Sequence, residues 1–220
     1  SVDGDYNTAV GYQALNIFEG GSNDGENTAV GYGSLGALTL GDRNTAIGAT
    51  SAPAITIGKY NTALGYEALL SDTIGNTTVA VGYQALANQL SDSDNETTGN
   101  TAVGYGVGLE LTTGTNNTYL GYIAGRYNQT GTNNTYLGYQ AGYGASGQQN
   151  SYNTAIGKDA MLAVTTGNYN TAVGLSSADA LTTGEGNVCI GVSALGTATT
   201  EQYNVAVGTN AMSAVRNDAS

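Results

Sequence analysis

The chain has no histidine and no tryptophan, and only one cysteine, one proline and one phenylalanine among 220 residues. Without histidine there is no Ser-His-Asp triad, no imidazole acid–base chemistry and no ordinary zinc site. A single cysteine permits no internal disulfide. One proline against 34 glycines excludes collagen and polyproline rods. Basic residues are scarce: five Lys and Arg stand against seventeen Asp and Glu, a formal charge of −12, so a nucleic-acid surface is not expected. No apolar run approaches the roughly 18–20 residues of a membrane span, so this segment is not expected to insert into a bilayer. No signal peptide or lipidation motif is visible in it either. Leu, Ile, Val and Phe make up only about 18% of the chain, which at this charge is the composition of a disordered protein.

What is present overrides that composition. The string Asn-Thr-Ala-Val-Gly and its variants recurs twelve times, ending at Gly11, Gly31, Gly48, Gly65, Gly82, Gly104, Gly121, Gly138, Gly157, Gly174, Gly191 and Gly208. Eight of the eleven intervals are 17 residues, and extra residues precede Gly31, Gly104 and Gly157. A disordered chain has no reason to keep such a register. The expected fold is all-β: one parallel β-solenoid of twelve coils, residues 1–220 forming a single repeat array.

Positions are counted from the repeat glycine. Position −1 is Val, Ile or Leu in all twelve coils, and −3 is Thr nine times and Val three times. Alternate residues of a strand share a face, and β-branched residues favour strands, so −3 and −1 are expected to face the coil's core. Position −2 is Ala nine times, then Tyr119, Tyr136 and Cys189. A solvent-facing site would not stay so small and apolar, so −2 is expected to meet a neighbouring chain. The interface residues on this reading are Ala9, Ala29, Ala46, Ala63, Ala80, Ala102, Tyr119, Tyr136, Ala155, Ala172, Cys189 and Ala206. Where −2 becomes Tyr, position +4, usually Leu or Met, becomes Gly125 or Gly142. Such an exchange suggests that the two positions share one packed space, although Gly108 occurs without a Tyr in its coil. Position −4 is Asn in eleven coils, with Thr78 the exception, and can form a ladder of amides. The repeat glycine supplies a bend or a positive φ, and a second glycine at −7, as at Gly4, Gly41 and Gly58, marks another turn. Residues +3 and +4 (Ala14-Leu15, Ala68-Leu69, Ala85-Leu86) are expected to form a second, extended, core-contacting segment.

The motif Asn-Thr-Ala-Val-Gly-Tyr-x-Ala-Leu resembles the head repeats of trimeric autotransporter adhesins of the YadA type, and similar repeats of bacteriophage tail fibres. The nearest matches are Asn204-Val205-Ala206-Val207-Gly208, Asn187-Val188-Cys189-Ile190-Gly191 and Thr78-Val79-Ala80-Val81-Gly82. The resemblance covers all twelve coils. It implies a left-handed β-roll, three chains wound about one axis, and an extracellular place on a virion tail fibre or bacterial surface.

Seven tyrosines at +1 (Tyr12, Tyr32, Tyr66, Tyr83, Tyr105, Tyr122, Tyr139) and five at −5 are expected to stack as columns, one ring per ~4.8 Å. The +1 column is a candidate ligand stripe for sugars, or a ladder that seals the coil surface. Ser91-Asp92-Ser93-Asp94-Asn95-Glu96 is oxygen-rich but matches no calcium motif, so it reads as a solvated loop. Phe18 is either an exposed contact or folded back on the roll. Cys189, without cationic neighbours in sequence, reads as a buried small hydrophobe. No catalytic residue, metal or cofactor is singled out. The expected function is a structural and adhesive rod, itself a homotrimer and part of a longer fibre, that binds a cell-surface glycan or protein. Two alternatives are an ice- or surface-binding solenoid, which the inward-facing Thr of this reading disfavours, and a polysaccharide depolymerase fibre.

Overall fold

A computed structural model describes residues 6–19, 25–93 and 97–214. Twelve three-residue strands, from β1 (Thr8–Val10) to β12 (Val205–Val207), form one sheet in sequential order. Every neighbouring pair is parallel and in register, Thr45 beside Thr62 and Ala46 beside Ala63, so each strand is the −3 to −1 segment of one coil. The extra residues before Gly31, Gly104 and Gly157 leave that register intact across β1–β2, β5–β6 and β8–β9. The chain is an all-β parallel solenoid, and the described residues contain no helix.

The strand faces are opposite to the sequence expectation. Position −2 is the inward one: Ala29, Ala46, Ala80, Ala102, Ala155 and Ala172 are fully buried within their own coils. Positions −3 and −1 point out, Ile47 being 43% and Leu120 also 43% exposed. The reason is steric. The opposite wall delivers large side chains into a narrow interior, with Leu35 and Leu38 in the second coil, Ile55 in the third and Leu69 in the fourth. The strand wall facing them has room for little more than a methyl group.

The segment after each strand also differs from expectation. Residues +3 and +4 do supply core contacts, but they are not extended. Both Ala68 and Leu69 are buried, as are Ala85 and Leu86, whereas neighbours in a strand point to opposite faces. Left-handed residues at +2 and +4, such as Glu67 (φ 55°) and Leu69 (φ 53°), turn the two side chains the same way. The Ala68 amide closes the turn on the Gly65 carbonyl at 3.4 Å. At the bend itself, Gly48 has φ 134°, and a Cβ there would lie 2.6 Å from the Gly65 carbonyl oxygen. Conformation and space both require glycine at that point. At −7 only space does: a Cβ on Gly41 would lie 2.6 Å from Leu38 Cδ1, with no positive φ. Gly4 lies outside the described residues.

The −4 asparagines form the expected ladder, and it runs inside the coil. Asn117 Oδ1 accepts from the backbone N–H of Asn134 at 3.0 Å and from its Nδ2 at 3.1 Å. Asn117 Nδ2 donates to the Gly131 carbonyl at 2.8 Å. Thr78 interrupts the column, and a buried polar cluster bridges the break. Its hydroxyl lies 2.6 Å from that of Thr98 and accepts from Gln89 Nε2 at 2.9 Å. Gln89 also donates to Asp72 at 2.7 Å and accepts from Asn100 at 3.0 Å.

The Tyr-for-Ala exchange packs as its pattern indicates, though within the coil. A Cβ on Gly125 would lie 2.8 Å from the Tyr119 ring, and one on Gly142 would lie 2.6 Å from Tyr136 Cγ. Gly108 is explained too, because Tyr119 of the next coil lies 3.0 Å from where its Cβ would be.

Two measurements follow from this core. Gly142→Leu should overpack by roughly 1–3 kcal/mol and Tyr136→Ala should leave a cavity costing roughly 3–5 kcal/mol. Together they restore the common Ala/Leu pair, so the double mutant should be clearly more stable in urea than the sum of the singles. Asn117→Ala strands two buried donors of Asn134 and the Gly131 carbonyl. It should cost roughly 2–5 kcal/mol in the same assay, whereas Asn116→Ala on the exposed turn should cost less than about 1 kcal/mol.

Candidate outer-face site

Alternation from the buried −4 and −2 residues sends −3, −1 and the flanking −5 and +1 residues to the outside of one sheet. Val10, Val30, Ile47, Leu64, Val81, Val103, Leu120, Leu137, Ile156, Val173, Ile190 and Val207 form an aliphatic rank along it. Beside it runs a rank of nine threonines and three valines. Among the described residues none of the nine threonine hydroxyls makes a hydrogen bond within the chain. Threonines elsewhere in the coil behave differently: Thr56, Thr112 and Thr182 each donate to a carbonyl of the following coil. The free hydroxyls and exposed aliphatics therefore belong to one outward surface.

This placement corrects the expected interface. Ala29, Ala46, Ala63, Ala80, Ala102, Tyr119, Tyr136, Ala155, Ala172, Cys189 and Ala206 are all buried in a single chain and offer no surface to a second one. Ala9, in the first described coil, is the exception and is exposed. Sequence reasoning missed the −1 and −3 ranks as a surface because it took the larger aliphatic side chains for the core.

The +1 tyrosines form the expected column. Tyr12 stacks on Tyr32 with ring centroids 5.8 Å apart. Tyr66, Tyr83, Tyr105, Tyr122 and Tyr139 make a second run with spacings of 5.6, 4.9, 5.3 and 5.3 Å. Ala49 occupies the intervening +1 position, and the Lys158 ammonium sits 5.6 Å over Tyr139 at the other end. At −5, Tyr152 and Tyr169 stack at 4.9 Å. Near-parallel stacking covers the ring faces of the interior tyrosines with other rings. The column therefore presents edges and hydroxyls, and sugar stacking along its length is disfavoured. Tyr66 hydrogen-bonds the Glu67 carboxylate, which pushes its phenol up, and Gln84 donates to Glu67 at 2.7 Å.

Charged groups pair locally. Asp42 is held by Arg43 at 2.8 Å and Lys59 at 3.0 Å, and Arg43 also reaches Glu26 at 2.8 Å. Lys158 pairs with Asp159. Asp94, Asn95 and Glu96 of the acidic segment lie outside the described residues, and no group of three or more metal-binding side chains occurs among the described ones. Phe18 packs half-buried against the core, as the fold-back reading has it. No described helix is long and apolar enough to cross a membrane. Comparison with protein-family models, curated proteins and solved structures finds no match.

Cys189 occupies a buried −2 position, and desolvation pushes its thiol up to about 11. Burial pushes Tyr119 and Tyr136 up as well. Folded values above unfolded ones mean that these groups stabilise the fold fully below about pH 9. That contribution is lost as pH rises beyond it, because the unfolded chain ionises first. Cys189 should label slowly with a thiol reagent at pH 8 and react at the rate of a free thiol in denaturing urea. Fast labelling of the native protein would contradict its burial.

Proposed function

We propose that the chain is a rod-forming, adhesive segment of an extracellular homotrimeric fibre, on a phage tail or a bacterial surface. Each copy is a left-handed roll, and the copies join through the −3/−1 face. The observation that carries this reading is the aliphatic rank, apolar in all twelve coils yet facing out of a single chain, with Val10, Ile47, Leu120, Leu137, Ile190 and Val207 exposed and the other six half-buried. An aliphatic rank running the length of the sheet, edged by threonines and tyrosine rings, marks an interaction site. Twelve coils at ~4.8 Å, with ~13 Å between −3 and +1, give a strip of about 750 Å², close to one side of a standard protein interface. The count of three rests on the resemblance to trimeric adhesin repeats. The mechanism is mechanical: stacked coils extend a stiff rod, and repeated weak contacts along it add to useful avidity at a cell surface.

A second reading is favoured by the nine unbonded threonine hydroxyls in register. With the aliphatic rank they form a regular hydroxyl and methyl array of the kind that could bind ice. Against it, the aliphatic rank mixes Val, Ile and Leu, whose tips reach different heights. A facing protein chain can fit such relief, and a crystal plane cannot.

Sedimentation equilibrium separates the two. The fibre reading expects a trimer at micromolar concentration, and Val103→Lys with Leu120→Lys should yield folded monomers, since both side chains lie outside the core. A folded wild-type monomer that shows thermal hysteresis would replace this reading with the ice-binding one.

A further inference from the structure

Fourteen of the sixteen tyrosines fall at positions −5, −2 or +1; Tyr127 and Tyr143 do not. They lie in consecutive coils, joined by the Tyr127 amide donating to the Tyr143 carbonyl at 3.2 Å. Their rings meet at 82° with centroids 4.9 Å apart, a corner where the +1 column is a stack. The Tyr143 hydroxyl donates to that of Tyr127 at 3.5 Å. With Arg126 beside it, that contact holds the Tyr127 phenol below its usual range. The Arg126 guanidinium lies 5.6 Å over the Tyr127 ring. It reaches back over Gly106, where a Cβ would come within 3.0 Å of its Nη1.

Arg126 differs from the other described cations. Arg43, Lys59 and Lys158 each contact an aspartate, whereas Arg126 forms no ion pair among the described residues, in a chain of charge −12. Its donors are not taken up by a carboxylate. Nearby, Ser146 donates to Glu110 at 3.1 Å, joining a turn residue of the sixth coil to the segment that carries the last insertion. The cluster is half-buried, with Ser146 exposed. Perpendicular rings, a guanidinium held at Tyr127 but paired with no carboxylate among the described residues, a carboxylate and a hydroxyl thus converge where the repeat is irregular.

We propose that Arg126, Tyr127 and Tyr143, with Glu110 and Ser146, form a binding site for a carboxylate-bearing pyranose of a surface polysaccharide. The guanidinium takes the sugar carboxylate through paired N–H donors. The tyrosine corner takes the apolar face of the ring, and the Glu110 carboxylate and the Ser146 oxygen, whose own proton stays directed at Glu110, accept from its hydroxyls. The site rests on the adhesive-rod reading for its biological setting, but not on the oligomeric state.

The test is calorimetric titration of the full chain with trigalacturonate, 3′-sialyllactose and neutral maltotriose, alongside inorganic phosphate. Binding of either acidic sugar, with maltotriose and phosphate silent, is expected, and the responding arm distinguishes a uronate from a sialate. Arg126→Gln should weaken that binding about tenfold or more, and Tyr143→Ala should weaken it as well. No binding of either acidic sugar at millimolar concentration, equal binding of maltotriose or phosphate, or unchanged binding by Arg126→Gln would overturn the site. Sedimentation of the same samples tests the rod separately, so failure of one is distinguishable from failure of the other.

Discussion

The structure depends on closing each coil's buried polar groups against the next coil. A 17-residue coil is too small to satisfy its own backbone, and its interior is too narrow to admit water as a general partner. The −4 asparagine resolves this. Its oxygen takes two donors from the following coil, and its amide nitrogen takes the carbonyl of that coil's −7 residue, as Asn170 does with Asn187 and Gly184. Shift one coil by a residue and these bonds fail together. The strict period is therefore a hydrogen-bonding requirement before it is a packing one. Insertions are tolerated only where they loop out and rejoin the same ladder.

Where the asparagine is missing, the same requirement is met by other means. Thr78 can accept and donate but cannot reach as far as an amide. Gln89 and Asp72 enter the core at a position, seven after the repeat glycine, that elsewhere holds Leu38, Ile55 or Leu181. Thr98 joins them from the segment carrying the longest insertion. The polar cluster and the insertion are thus one local variant of the coil, linked through a shared set of buried donors and acceptors.

Much of the fold was legible in the residues and their period. The parallel register, the asparagine ladder, the bend at the repeat glycine and the Tyr/Gly exchange all follow from twelve aligned copies. The inward face is not legible from the alternation alone, because a period of two identifies two faces without saying which is inside, and the larger −1 side chains point out. The exchange itself held the answer. Tyr119 and Tyr136 trade volume with Gly125 and Gly142, and +4 was already placed in the core, so −2 belongs there too. The left-handed turns at +2 and +4 left no such trace, because Leu35 and Leu69 are unusual residues for φ near 50° and only the closed coil imposes it. Tyr127 and Tyr143 carry no periodic signal, because they fall between the aligned tyrosine positions.

The bonds joining neighbouring coils also determine how the rod answers to force. Pulled from its two ends, a solenoid of this kind yields first at its last coil, since every coil bears the same force and that one is held on one side only. Rupture then travels inward coil by coil rather than through the whole sheet at once. Each coil that lets go converts a rise of ~4.8 Å into a strand of roughly 56–61 Å. Under load the solenoid would thus act as a tether that lengthens in repeated steps and dissipates work at each one.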